Sequence, residues 1–206
     1  MSTQLLPLFP LQVVLFPGMS LPLHIFEPRY KQMIRHCLEQ KQEFGVVLAR
    51  EEGVAGVGCS ADILKVVKQY EDGRMDILTV GQSRFRLLQV FEDLPYFQGK
   101  VELLPDEEEP PGEPASPDRL LESYREVFPL LHGRQSAAPD VPGGFPLAFH
   151  IATVLPLDLE YKQQLLELRS EAERQQSLAE HLEALAPQLR RLERFKEKAG
   201  GNGHAR

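Results

Sequence analysis

With 206 residues, 42% of them hydrophobic and 26% charged, the chain is long enough for one large domain or two small ones with a real apolar core. A net charge of −7 disfavours a phosphate-backbone partner, which needs clustered Lys and Arg to release counterions. No stretch is long and apolar enough to span a bilayer, Met1 to Leu6 lacks the basic start of a secretory signal, and two cysteines, Cys37 and Cys59, are neither a disulfide framework nor a zinc set. These features predict a cytoplasmic protein with two reduced, buried thiols, and neither a membrane nor a nucleic acid as partner.

The first apolar runs are Leu5 to Phe9, Val13 to Phe16 and Leu21 to Phe26, interrupted by Pro7, Pro10, Pro17 and Pro22. Proline has no N–H for a ladder, so short or edge strands are expected. Pro17-Gly18 reads as a turn. Pro28 suits a first helical position, and Tyr30, Met33, Ile34, Cys37 and Leu38 follow at helical spacing, which predicts one amphipathic helix from Pro28 to Gln40. Strands resume at Phe44 to Ala49 and Val57 to Tyr70. Asp72-Gly73 reads as a hairpin turn, Arg74 to Val80 as the return strand, and Gly81 as its end. Phe85 to Phe91 and Phe97 to Leu104 complete the run, with Phe85, Leu87 and Phe91 alternating onto one face. One helix among strands joined mostly by short turns favours an antiparallel barrel or sandwich over a parallel sheet.

The composition changes near residue 105. Asp106 to Pro117 holds Glu107, Glu108, Glu109 and four prolines, too little apolar surface to order itself, and reads as a solvated linker. Ser116-Pro117 is expected to cap a helix reaching about Leu131. A loop follows over 132–144, then shorter helices at Phe145 to Leu155 and Leu159 to Leu168. Ser170 with Glu173 fits a capping box that opens a long last helix, through about Lys198. Along it Leu178, Leu182, Leu185, Leu189 and Leu192 form a stripe, read as packing on neighbouring helices of the same chain before a dimer seam. The predicted fold is therefore α+β: a mainly antiparallel barrel with one inserted helix over residues 1–105, the linker at 106–117, a helical bundle over 118–198 and a disordered tail at 199–206.

Several residue groups carry more than their composition. Leu8-Phe9-Pro10-Leu11, Val14-Leu15-Phe16-Pro17-Gly18, and Leu21-Pro22-Leu23-His24-Ile25-Phe26-Glu27-Pro28-Arg29-Tyr30 resemble the opening of the Lon amino-terminal domain family. Gly56-Val57-Gly58-Cys59, Asp72-Gly73-Arg74, Gly81 with Arg84-Phe85, and Lys162-Gln163-Gln164-Leu165-Leu166-Glu167 resemble later marks of that family, in the right order. The resemblance covers nearly the whole chain and implies a PUA-like β-barrel followed by a helical bundle. It implies a non-catalytic part in protein quality control, binding unfolded polypeptide segments or a protease or chaperone partner. The sequence shows no phosphate loop of the G-x-x-x-x-G-K-[ST] type, so no ATPase or peptidase activity is expected. The cereblon-like imide cage, also related, uses Trp, and this chain has none.

Candidate chemistry is sparse. His24 and Glu27 have a usable metal-ligand spacing, but no further ligand lies near, so neither metal nor cofactor is expected. Glu27 is expected to face the helix start, where a carboxylate is favoured. Arg29, Arg74 and Arg84, with Glu27, are read as structural ion pairs across the barrel, with an anion site as the alternative. His36 and Cys37 are adjacent on a helix and do not face each other. The Phe16-Pro17-Gly18-Met19 turn is the candidate polypeptide-binding tip: Met repacks easily, so Phe16 and Met19 suit adaptable binding if they lie in a surface groove, and the core if they do not. An RNA-binding module and an uncharacterised hydrolase are the rival functions; no convergent acid, base and nucleophile are legible for the latter. Oligomeric state stays open.

Overall fold

The computed structural model describes residues 3–107, 117–133 and 145–201, with side chains to 195. Six strands come first: β1 (Thr3–Leu11), β2 (Ser20–Ile25), β3 (Phe44–Leu48), β4 (Val57–Gln69), β5 (Met75–Phe91) and β6 (Gln98–Leu103), with helix α1 (Pro28–Gln40) between β2 and β3. They form one mixed sheet in the order β2-β5-β4-β3-β1-β6, and a further β5–β6 pairing returns the ladder to β5. The β1–β3 pair is parallel; the other five pairings are antiparallel. The expected antiparallel character thus holds in the main, with one parallel contact made possible by the crossover through α1.

Three sequence expectations for this part are corrected. Val13 to Phe16 is not a strand. Its Val14, Leu15 and Phe16 are buried all the same, Val14 and Phe16 in the cluster shared with the helices and Leu15 in the one beneath α1. β1 is not short despite two prolines. Pro7 pairs only with β6 and Pro10 only with β3, so each proline keeps one unpaired side for its missing donor. Gly81 does not end a strand: β5 runs through it. A Cβ there would stand 2.1 Å from the Phe16 carbonyl oxygen, so the glycine permits close backbone approach.

α1 has the predicted boundaries, with Pro28 at its first turn. It buries Tyr30, Met33, Ile34 and Cys37 against Phe9, Phe44, Met75 and Ile77. The smaller cluster of Leu6, Leu8, Val47, Phe85 and Val101 belongs to strands β1, β3, β5 and β6. Both thiols are free and buried. Burial pushes the Cys37 thiol up to about 12 and raises that of Cys59 as well.

The helices are α2 (Asp118–His132), α3 (Leu147–Val154), α4 (Leu159–Glu167) and α5 (Glu171–Gly201). Asp158 caps α4 by accepting from the N–H groups of Glu160 and Tyr161. The predicted capping box is present: Ser170 Oγ accepts from Glu173 N at 3.1 Å, and Glu173 Oε2 from Ser170 N at 3.2 Å. Most of the segment at 106–117, including Ser116, most of the loop at 132–144 and the end of the tail lie outside the described residues. The third and largest core cluster joins the two regions, with Val14, Phe16, Leu48 and Val57 from the strand side meeting Phe149, Leu165, Leu178 and Leu182 from the helices.

Candidate functional site

The turn between β1 and β2 follows from its sequence. Pro17 presets φ for the second position, Gly18 takes φ +77° at the third, and Met19 N donates to Phe16 O at 3.0 Å. Gly81 ties the turn to β5: Gly18 N donates to Gly81 O at 2.9 Å, and Gly81 N to Met19 O at 3.0 Å. The turn is therefore tied to β5 by two backbone hydrogen bonds.

Its two candidate contact residues part company. Phe16 is fully buried, its ring stacked on Phe149 at 4.9 Å between centroids. It is a core residue and offers no ring to a partner. The first residue of the turn points back into the junction between strands and helices, which closes over it. Met19 is half-buried and packs against two of the core clusters from their edge.

Met19 lies in a cleft of about 270 Å³. Pro17 to Ser20 form one wall; Phe145, His150 and Thr153, just before and on α3, form the other. The Phe145 ring stands 2.5 Å from where a Gly18 side chain would begin, so glycine is required for contact as well as for φ. Phe145 stays 38% exposed, a large apolar face left at the cleft mouth. On the far side of Pro17 a second cleft of about 230 Å³ is lined by Leu103, Leu104, Phe149, Arg84 and Asp106. Two adjoining, mostly apolar clefts sharing a proline wall can take apolar side chains of an extended chain.

An ionic cluster contributes Arg84 and Asp106 to the lining of the second cleft. Arg84 and Arg174 both bond the Asp106 carboxylate. Arg84 also donates to Leu166 O at 2.7 Å, and Arg174 to Glu171 Oε2 at 2.9 Å. Glu171 accepts from Ala148 N at 2.9 Å, which ties α5 to the start of α3. The Arg174 guanidinium lies 4.4 Å from the centroid of the Phe149 ring, which Phe16 stacks as well. Burial, offset in part by Asp106, holds the Arg84 guanidinium below the usual arginine value. At Arg174 burial pulls the same way, but Asp106 and Glu171 outweigh it and the net direction is up.

The four residues read as one ion-pair or anion set do not converge. Arg29 bonds Glu27 at 2.9 Å and lies over Tyr30, while Arg74 bonds Asp72 at 2.7 Å and lies over Tyr70. Arg84 is in the cluster with Asp106. Arg29, Arg74 and Arg84 thus bond three different carboxylates, and they form no common anion site among the described residues. Glu27 is the N-cap residue of α1, yet its carboxylate turns to Arg29 and not to the helix N–H groups. His24 Nδ1 lies 2.6 Å from Asp76, and Tyr70 OH donates to the other oxygen of that carboxylate at 2.8 Å.

Sequence reasoning missed Phe145, His150, Thr153, Asp106 and Arg174. The signal for Phe145 was a lone aromatic after Pro142-Gly143-Gly144, and for Asp106 an acid just after Leu103-Leu104-Pro105. Neither is specific.

Comparison with known proteins gives a consistent result. A family model described as "ATP-dependent protease La (LON) substrate-binding domain" matches residues 5–184. "Lon protease" of Paraburkholderia phytofirmans is 32% identical over 189 residues, covering 81% of this chain and 23% of that protein. The chain spans about a quarter or less of the length of the Lon proteases it matches. Among solved structures, the "Lon N-terminal domain protein from Xanthomonas campestris" is similar with a TM-score of 0.65 at 29% identity, over 85% of this chain and 96% of that one. The "N terminal domain of Mycobacterium avium complex Lon protease" has the same fold, with a TM-score of 0.67 at 17% identity, over 87% and 98% of the two chains.

Proposed function

Because the chain belongs to the Lon substrate-binding domain family, we propose that it is a non-catalytic, cytoplasmic module that binds unfolded polypeptide segments in the cleft between the Pro17–Ser20 turn and α3. In this reading residues 1–105 are a PUA-like β-barrel and 118–198 its helical bundle. The two clefts lie where the two parts meet, and a protease or chaperone partner receives the bound segment. The family match supports substrate binding at the coarse level. The observation that carries the site is that half-buried Met19 and exposed Phe145 line one mostly apolar cleft beside a hydrogen-bonded turn. Met adapts its shape to different side chains, which suits a site that reads unfolded chains and not one sequence.

The test is a titration of a fluorescent, permanently unfolded model protein into the full chain, with Met19→Asp and Phe145→Asp alongside. Loss of one buried apolar contact predicts about tenfold weaker binding for each variant. Because Met19 also touches the core edge, thermal melts are run on both. Phe145→Asp is expected to keep its stability. Unchanged client binding in a folded Phe145→Asp variant would remove the cleft from the account, and no binding by the wild type would remove the function.

A further inference from the structure

Helix α5 outruns the bundle it packs in. Leu178 and Leu182 are fully buried, and Leu185 and Leu189 are partly buried against the same core. Leu192 and Phe195 are then 57% and 72% exposed. At about 100° per residue, Leu185, Leu189, Leu192 and Phe195 share one face, so the intramolecular seam continues into solvent. The family match stops at residue 184, and this stretch lies beyond it.

The charge changes over the same stretch. Residues 190–198 hold five Lys or Arg and two Glu, within a chain of net charge −7. Arg190 pairs with Glu126 at 2.8 Å, while Arg191 and Arg194 are exposed and form no ion pair among the described residues. By the same spacing Arg194 lies about 160° from Leu192, while Arg191 stands about 40° from Phe195, at the edge of the apolar face. The result is a basic amphipathic helix end on an acidic protein.

We propose that this end of α5 docks on an anionic lipid surface, lying in the interface with Leu192 and Phe195 toward the acyl boundary and Arg191 and Arg194 toward the headgroups. A second copy is a poorer occupant. Two exposed apolar side chains fall far short of the roughly 800 Å² per partner of a stable interface, and the two copies carry the same sign of charge. A nucleic acid would meet the charges and leave the apolar face in water. A lipid surface needs no matching shape: apolar contact and headgroup attraction add. The chain has no described helix able to cross a membrane, which bears on crossing and not on lying at an interface. The proposal is independent of the cleft.

The experiment is flotation of the full chain with vesicles of phosphatidylcholine alone or with about 30 mol% phosphatidylserine at low salt. Anionic vesicles are expected to carry about tenfold more protein than neutral ones, and salt of about 0.5 M to reverse this. Phe195→Asp and the double variant Arg191→Glu/Arg194→Glu are each expected to fall to the neutral-vesicle level with unchanged circular dichroism, since all three residues are exposed. Equal flotation with both vesicle types, or variants that float as the wild type does, would overturn the proposal. So would a wild type that fails to float but dimerises, or binds a single-stranded oligonucleotide, through these residues.

Discussion

Asp106→Ala removes the one carboxylate that holds two buried arginines. The side chains of Arg84 and Arg174 are 3% and 0% exposed, and that of Asp106 37%. After the change Arg174 keeps the Glu171 carboxylate, whereas among the described residues Arg84 keeps no carboxylate, only the carbonyl oxygens of Leu166 and Leu168 and the Phe149 ring. Removing one partner of a buried ion pair costs 3–5 kcal/mol; the partial exposure of Asp106 sets the expectation at the lower end, about 3 kcal/mol. With a urea dependence of about 2 kcal/mol per molar, the unfolding midpoint should fall by about 1.5 M, read by circular dichroism. Arg84→Met in the Asp106→Ala background should recover part of the loss, because the stranded cation is gone. The coupling in the double-mutant cycle should exceed about 1 kcal/mol. A midpoint within error of the wild type for Asp106→Ala, or strict additivity in the cycle, would refute the view that this cluster holds strands and helices together beside the second cleft.

Three further outcomes follow from single residues. Gly81→Ala places a carbon 2.1 Å from the Phe16 carbonyl oxygen, so it should cost several kcal/mol (about 3 or more) or prevent folding; a melting temperature within a few degrees of wild type would contradict this close approach. Cys37 and Cys59 should react with an aromatic disulfide reagent only in denaturant, because both are buried and their thiols are shifted up; rapid labelling of the native protein would contradict it. His181, stacked on Tyr161 at 4.0 Å, is held below its ordinary 6.5 by burial. The unfolded chain then binds this proton more readily than the folded one. Its contribution is present above pH 6.5 and is lost as pH falls through the lower folded value. Urea titrations from pH 7.5 downward should show this decline and His181→Gln should flatten it; an identical slope in the variant would rule the residue out.

Local chemistry was legible and distant contact was not. Pro28 with its apolar spacing gave α1 its true boundaries, Ser170 with Glu173 gave the capping box, and Pro17-Gly18 gave the turn, since each effect acts within about one helical or chain turn. The ordered motifs gave the family. Gly81 misled because glycine marks both strand ends and close approaches, and only the Phe16 carbonyl above it decides which. Asp106 stands at the start of an acidic, proline-rich run that reads as solvated; its partners Arg84 and Arg174 are 22 and 68 residues away. The far wall of the cleft is a similar case. Phe145, His150 and Thr153 lie well over one hundred residues from Met19, and no spacing rule connects them. Phe16 went to the core and Met19 to its edge although they flank one turn, a difference set by what packs above them.

The chain carries its own probes for the central claim. Of its four methionines, Met33 on α1 and Met75 on β5 are 0% and 2% exposed in one core cluster, and Met19 lines the cleft. Methyl-labelled methionine spectra recorded during titration with an unfolded client should show the Met19 signal shifting or broadening saturably while Met33 and Met75 hold their positions. A client that binds by fluorescence anisotropy yet leaves the Met19 methyl unmoved would place the binding surface elsewhere on the molecule.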